Sequence, residues 1–123
     1  MTDQELLELA AKAAGLDDAR WRDMGGVTDI LWSEKLWEVT GYGEWNPLSD
    51  DGDAFRLMVD LCLSIDHNHP ADQQRWVAAD RSGCEGCFSP VSALEDDFDE
   101  SERAAATRRA IVMAAAEIGR GMG

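Results

Sequence analysis

WNPLSDDGDAFRLMVDL, residues 45–61, gathers Asp50, Asp51 and Asp53 around Gly52 immediately ahead of an apolar run. Three readings compete for it. A calcium loop needs oxygen ligands at alternating positions and a bidentate carboxylate at its twelfth residue; DDGDAFRLMVDL lacks the alternation and ends on Leu61. A phosphate cradle needs several glycines and usually a lysine, and neither is present. Helix initiation asks for less. Pro47 ends the preceding segment, Asp50 caps the chain with Asp53 reaching back, and Asp51 complements the positive end of the helix dipole. Ala54, Leu57, Met58 and Leu61 then make one apolar stripe. The spacing predicts a helix whose aspartates are structural rather than catalytic.

Downstream, LSIDHNH (63–69) alternates Leu63, Ile65, His67 and His69 with Ser64, Asp66 and Asn68, the period of a strand, and Pro70 closes it. RWVAAD (75–80) is short and apolar enough for a second strand, so an antiparallel hairpin with a loop of about five to six residues is expected. Residues 81–102 read as a long connection. Its end, EDDFDESE (Glu95–Glu102), reads as a solvated loop that caps the last helix through Asp99 and Glu102. That helix, ERAAATRRAIVMAAAEIG (102–119), places Thr107, Ile111, Ala114, Ala115 and Ile118 on one face and stops at Gly119 or Gly121.

Upstream, Thr2 and Glu5 of MTDQELLELAAKAAG make a capping box, Met1 and Leu6 a staple, and Gly15 followed by Leu16 a left-handed stop. A helix over 3–14 follows, with Leu6, Leu9, Ala10 and Ala13 on one face. Residues 17–48 fit either period. Val27 to Trp32 suits a short strand, whereas Trp32, Leu36 and Val39 match a helical face, and the alternatives stay open. Four of the five tryptophans, Trp21, Trp32, Trp37 and Trp45, fall here. Core packing is the expected use, with an exposed aromatic interaction patch as the alternative.

A chain of 123 residues with 45% hydrophobic side chains suits a single domain, 1–123, able to remove roughly two-thirds of its unfolded surface from water. No apolar run approaches the roughly 18 residues of a membrane span, and the acidic N-terminal stretch lacks the cationic start of a secretion signal. A cytoplasmic protein is expected. Cys62, Cys84 and Cys87 form an odd set without framework spacing, consistent with a reducing compartment and no disulfides. The formal charge is −14, from 25 acidic and 11 basic residues. Arg103, Arg108, Arg109 and Arg120 against Glu117 make residues 103–123 +3, which leaves −17 for the rest. Such a chain repels phosphate backbones, so direct nucleic-acid binding is not expected. It suits the basic groove of a partner protein, with solubility as the plainer explanation of the charge.

Candidate chemistry is thin. His67-x-His69 with Cys84-x-x-Cys87 supplies two nitrogen and two sulfur ligands of the kind that hold tetrahedral zinc, but the two pairs lack an established finger spacing. A zinc-stabilised structural module on these four residues is therefore the alternative reading, and free side chains the plainer one. The contiguous HNH matches a nuclease class in letters only. CEGC lacks the strand and helix N-terminus that lower a thiol pKa, and neither Ser64 nor Ser89 sits in a strand-to-helix elbow. A small hydrolase or transferase is the remaining alternative, because so acidic a chain offers carboxylates for acid–base work, but nothing singles out a pair. No catalytic, cofactor-binding or metal residue is assigned, and no cofactor.

Three stretches, MTDQELLELAAKAAG, WNPLSDDGDAFRLMVDL and AAATRRAIVMAAAEIG, together resemble the phage ABA sandwich domain family, small proteins of tailed phages and prophages. The resemblance covers somewhat under half of the chain, and Trp-Asn-Pro-Leu followed by Asp-Asp-Gly-Asp-Ala is its most specific element. It implies a small antiparallel sheet between helices and a phage setting, and supplies no catalytic residues. The expectation is a single α+β domain with a small antiparallel β-sheet packed between α-helices. Its expected role is that of a phage accessory protein binding a basic protein partner, an antagonist of host defence being the specific role considered.

Overall fold

Local capping decides where the first helix begins and ends. In a computed structural model that describes residues 1–23, 29–81 and 91–122, α1 spans Asp3–Ala13. Thr2 Oγ1 accepts from the Glu5 N–H and Glu5 Oε2 from the Thr2 N–H, both at 3.1 Å. Gly15, at φ +80°, turns the chain so that the Leu16 N–H reaches Ala11 O at 2.9 Å. Leu6, Leu7, Ala10 and Ala11 are buried, while Leu9 and Ala13 are only partly so.

The segment that fits both periods adopts both in succession. β1 (Arg20–Arg22), β2 (Ile30–Trp32) and β3 (Glu44–Trp45) form an antiparallel sheet in that order, and α2 (Glu34–Thr40) intervenes between the last two strands. Val27, the start of the expected strand, lies outside the described residues. Ser33 makes the switch. It is fully buried, its Oγ accepts from the Leu36 N–H at 3.2 Å, and its hydroxyl donates to Asp18 Oδ1 at 2.8 Å. Trp32 is therefore on a strand and not on a helical face with Leu36 and Val39, and Val39 is 84% exposed. The cross-strand row Trp21, Leu31 and Trp45 faces the core.

α3 (Asp51–Asp60) starts where the aspartates place it: Asp50 Oδ2 accepts from the Asp53 N–H at 2.7 Å. Asp53 does not reach back to the cap as expected. Its buried carboxylate accepts from the Asn46 N–H at 2.9 Å instead, because the Asp50 N–H is already bound to Asn46 O. Ala54, Leu57 and Leu61 are buried and Met58 is partly so.

The expected hairpin pairs β4 (Ser64–His67) with β5 (Trp76–Arg81), in the register Ser64↔Asp80 to His67↔Val77. Its loop, residues 68–75, is longer than expected. The buried Asn68 carries its Oδ1 to the Trp76 N–H at 3.1 Å and takes the place of a further ladder residue. A third strand, β6 (Val91–Asp96), then pairs with β5. This corrects the reading of 81–102 as a connection: VSALED turns small residues inward and Leu94 outward, so its alternation does not mark a core face. Asp96 and Glu95 thus belong to a strand, and a 3₁₀ turn follows at Glu100–Glu102. Neither Asp99 nor Glu102 makes a side-chain cap.

The last helix, α4 (Arg103–Gly121), is the centre of the molecule. It packs against β5 and β6 on one side and against α1 and α3 on others. Ala106, Ala110, Val112, Ala114, Ala115 and Ala116 are buried, so burial extends well beyond the single expected face. Short side chains are what let one helix meet three neighbours closely. Gly119 does not stop it; a Cβ there would lie 1.9 Å from Leu9 O, and the helix runs to Gly121. No helix among the described residues is long and apolar enough to cross a membrane.

Candidate functional site

The three aspartates of the opening stretch are engaged in holding the fold. Asp51 accepts from Arg108 at 2.6 Å, while the same guanidinium donates through Nε to Leu48 O at 2.9 Å and so ties α3 to α4. Asp53 takes Arg56 at 2.6 Å beside the Asn46 N–H. An open cleft of about 580 Å³ lies alongside, lined by Tyr42, Asn46, Asp53 and Arg56 among others. Its one buried carboxylate is already committed to these two donors.

The histidines are part of a second polar cluster. Arg103 Nη1 lies 2.9 Å from His67 Nδ1, its Nη2 donates to Asn68 Oδ1 at 2.8 Å, and its Nε donates to Glu100 Oε2 at 2.5 Å. A guanidinium only donates, so His67 Nδ1 is the acceptor. The hydrogen bond from Arg103 holds the Glu100 carboxyl below its usual range, and the guanidinium also covers the Phe98 ring at 5.1 Å. His69 lies beyond the strand, where its Nδ1 accepts from the Ala71 N–H at 3.1 Å. Each histidine thus spends one ring nitrogen on the fold. Cys84 and Cys87, the other members of the expected zinc set, lie outside the described residues, as does Ser89. Among the described residues no group of three or more His, Cys, Asp or Glu side chains is placed to hold a metal ion.

The tryptophans divide. Trp45 is buried, and Trp21 is half-buried with its Nε1–H on Glu8 Oε1 at 2.7 Å. Trp37 is 49% exposed and stacks on Trp32 with ring centroids 5.8 Å apart. Arg22 lies 4.2 Å over the Trp32 ring, and Gly43 presses on the ring from the adjoining chain, where a Cβ would come within 2.3 Å. Core use therefore fails for Trp32 and Trp37, which form a surface stack. Asp17 and Asp18 anchor α2 beneath it: Asp17 pairs with Lys35, and Asp18 accepts from Ser33 and from the Lys35 N–H. The Lys35 hydrogen bond lowers the Asp17 carboxyl. At Asp18 burial pushes upward, but the hydrogen bonds from Lys35, Ser33 and the nearby backbone outweigh it and leave the carboxyl lowered.

An acidic surface lies on the outer face of the second sheet. Its inner face, with Val77, Ala79 and Ala93 buried, rests on α4. Strand alternation sends the other set outward: the rows Ser64–Asp80–Ser92 and Asp66–Ala78–Leu94, then Trp76 beside Asp96. Among the described strand residues this face has three aspartates and no lysine or arginine. Leu94, on the edge strand, is 55% exposed, and Trp76 and Ala78 of the central strand are half-buried beside it. Ser92 donates to Asp80 at 2.5 Å, which fixes that carboxylate across the sheet. Sequence reading missed the face because its third strand went unrecognised; the alternation of 63–69 pointed to only one edge of it.

No family model matches the chain, and no curated protein or solved structure shows significant similarity to it.

Proposed function

We propose that this chain is a non-catalytic accessory protein of a phage or prophage that works in the bacterial cytoplasm by binding a partner protein with a basic surface. The observation that carries this reading is the outer face of the second sheet, where Asp66, Asp80 and Asp96 stand beside Leu94, Trp76 and Ala78 with no lysine or arginine among the described strand residues of that face. Apolar side chains beside charge of one sign are how a protein interface combines burial with selection of a partner. The −14 charge acts in the same direction, drawing basic surfaces and repelling nucleic acid. The phage setting rests on the resemblance of the three stretches quoted above. Antagonism of host defence fits that setting, since carboxylates can occupy a groove that would otherwise hold phosphates.

The reading is tested by affinity capture from infected or lysogenic cells at low and high salt, with the native chain beside a variant carrying Asp66→Asn, Leu94→Ser and Asp96→Asn. A basic protein retained by the native chain at low salt, lost at high salt and absent with the variant is the expected result. Equal retention by both chains, or no basic protein at low salt, overturns the reading.

A further inference from the structure

Among the described residues β6 ends its sheet, and the hydrogen bonds of its neighbour identify which of its backbone groups point away from β5. The Asp97 N–H donates to Arg75 O at 3.2 Å, and the Asn68 N–H to Trp76 O at 3.1 Å. Alternate residues of a central antiparallel strand bond to opposite sides, so residues 75, 77, 79 and 81 serve β6 and residues 76, 78 and 80 serve β4. In the register Val77↔Glu95, Ala79↔Ala93 and Arg81↔Val91, the N–H and C=O groups of Ser92, Leu94 and Asp96 point away from β5, along the outer edge. Edge strands are ordinarily blunted by lysine, proline, an inward charge or a cover; VSALED contains no lysine or proline, and its inward charge, Glu95, is paired with Arg109 at 3.3 Å. Beside this edge runs a groove of about 650 Å³, floored by Met113 and Ala116 of α4 and by Met1 and Leu6. Glu117 and Arg120, paired at 3.1 Å, also line it.

We propose that β6 takes an extended basic segment of the partner protein as an antiparallel fourth strand, with its side chains divided between the groove and the acidic face. This deepens the partner reading above and rests on it for the charge. Residues opposite Ser92, Leu94 and Asp96 stand on the outer face, where Asp80 and Asp96 select lysine or arginine. Residues opposite Val91 and Ala93 turn inward, where the Met113 and Ala116 floor selects apolar side chains. The motif recognised is thus an alternation of basic and apolar residues, bound through its main chain. A second copy of this chain fits the edge less well. β6 paired with itself about Leu94 would bring together two acidic faces, each on a chain of charge −14.

The test is fluorescence anisotropy with short labelled peptides: alternating Val and Lys, alternating Val and Glu, and the Val and Lys residues sorted into two blocks. The alternating Val/Lys peptide is expected to bind at least about ten-fold more tightly than the other two, the scale of a few net hydrogen bonds and ion pairs. N-methylation at its Lys positions, whose N–H groups face β6, is expected to abolish binding, while N-methylation at its Val positions leaves it nearly intact. Leu94→Pro, which removes an edge donor and none of the β5 ladder, is expected to fold and to lose about ten-fold in affinity. Equal binding of the block and alternating Val/Lys peptides, with the Val/Glu peptide rejected, overturns the added strand and leaves the acidic face standing. Equal binding of the Val/Lys and Val/Glu peptides, or none at low salt, overturns both. A dimer that Leu94→Pro dissolves gives the edge to a second copy and overturns the proposal.

Discussion

At Gly119 the absence of a side chain is a structural requirement. The helix is in its ordinary conformation there, but a Cβ would meet Leu9 O at 1.9 Å, a backbone atom that no rotamer change can move. Gly119→Ala is expected to destabilise the fold by roughly 2–3 kcal/mol, the usual scale of overpacking, despite alanine's higher helix propensity; urea denaturation measures it. Asp53 is the second such residue. Asp53→Ala strips the Asn46 N–H of its acceptor and is expected to cost about 2 kcal/mol. Arg56→Ala is expected to cost about 1 kcal/mol or less, because that guanidinium is 52% exposed and water replaces it at little cost. The Asp50 cap was legible from local spacing alone. The Asp53 partner was not, since the Asn46 N–H comes within reach only once the loop before α3 has folded back.

At the scale of elements, α2 shows how local and tertiary signals divide the work. Ser33 is recognisable as a cap, but what makes this seven-residue helix hold is the anchoring of its first turn to Asp17 and Asp18. Both carboxyls lie below the ordinary aspartate value of 3.8 in the folded chain. A lowered folded value means that the stabilisation is complete above about pH 4 to 5 and is lost as pH falls through 3.8 toward the lowered values. Acid titration is therefore expected to loosen α2 before the core melts, read as a change in the near-ultraviolet dichroism of the Trp32–Trp37 stack. Replacing Asp17 and Asp18 with asparagine should remove that step. β6 makes the complementary case. Its inward residues are Val91, Ala93 and the ion-paired Glu95, and its most apolar outward residue is Leu94, so its sequence carries no inside-outside contrast. Pairing with β5 makes it a strand.

At the scale of the molecule, a charge of −14 on 123 residues is a repulsion distributed over the whole surface. Screening it with NaCl is expected to raise the melting temperature, even though salt weakens exposed pairs such as Arg109–Asp3. A melting temperature that falls with salt would mean that the ion pairs outweigh the repulsion. The α+β class, both terminal helices, the launch of α3 and the β4–β5 hairpin follow from the sequence, because capping, glycine stops and side-chain period act within a few residues. The tertiary structure alone decided that α4 would be the centre, that two of the clustered tryptophans would stack on the surface, and that part of the acidic run would join a third strand. Those outcomes depend on what each segment meets across space, and a pattern of small residues in α4 or of mixed polarity in β6 does not encode its partner.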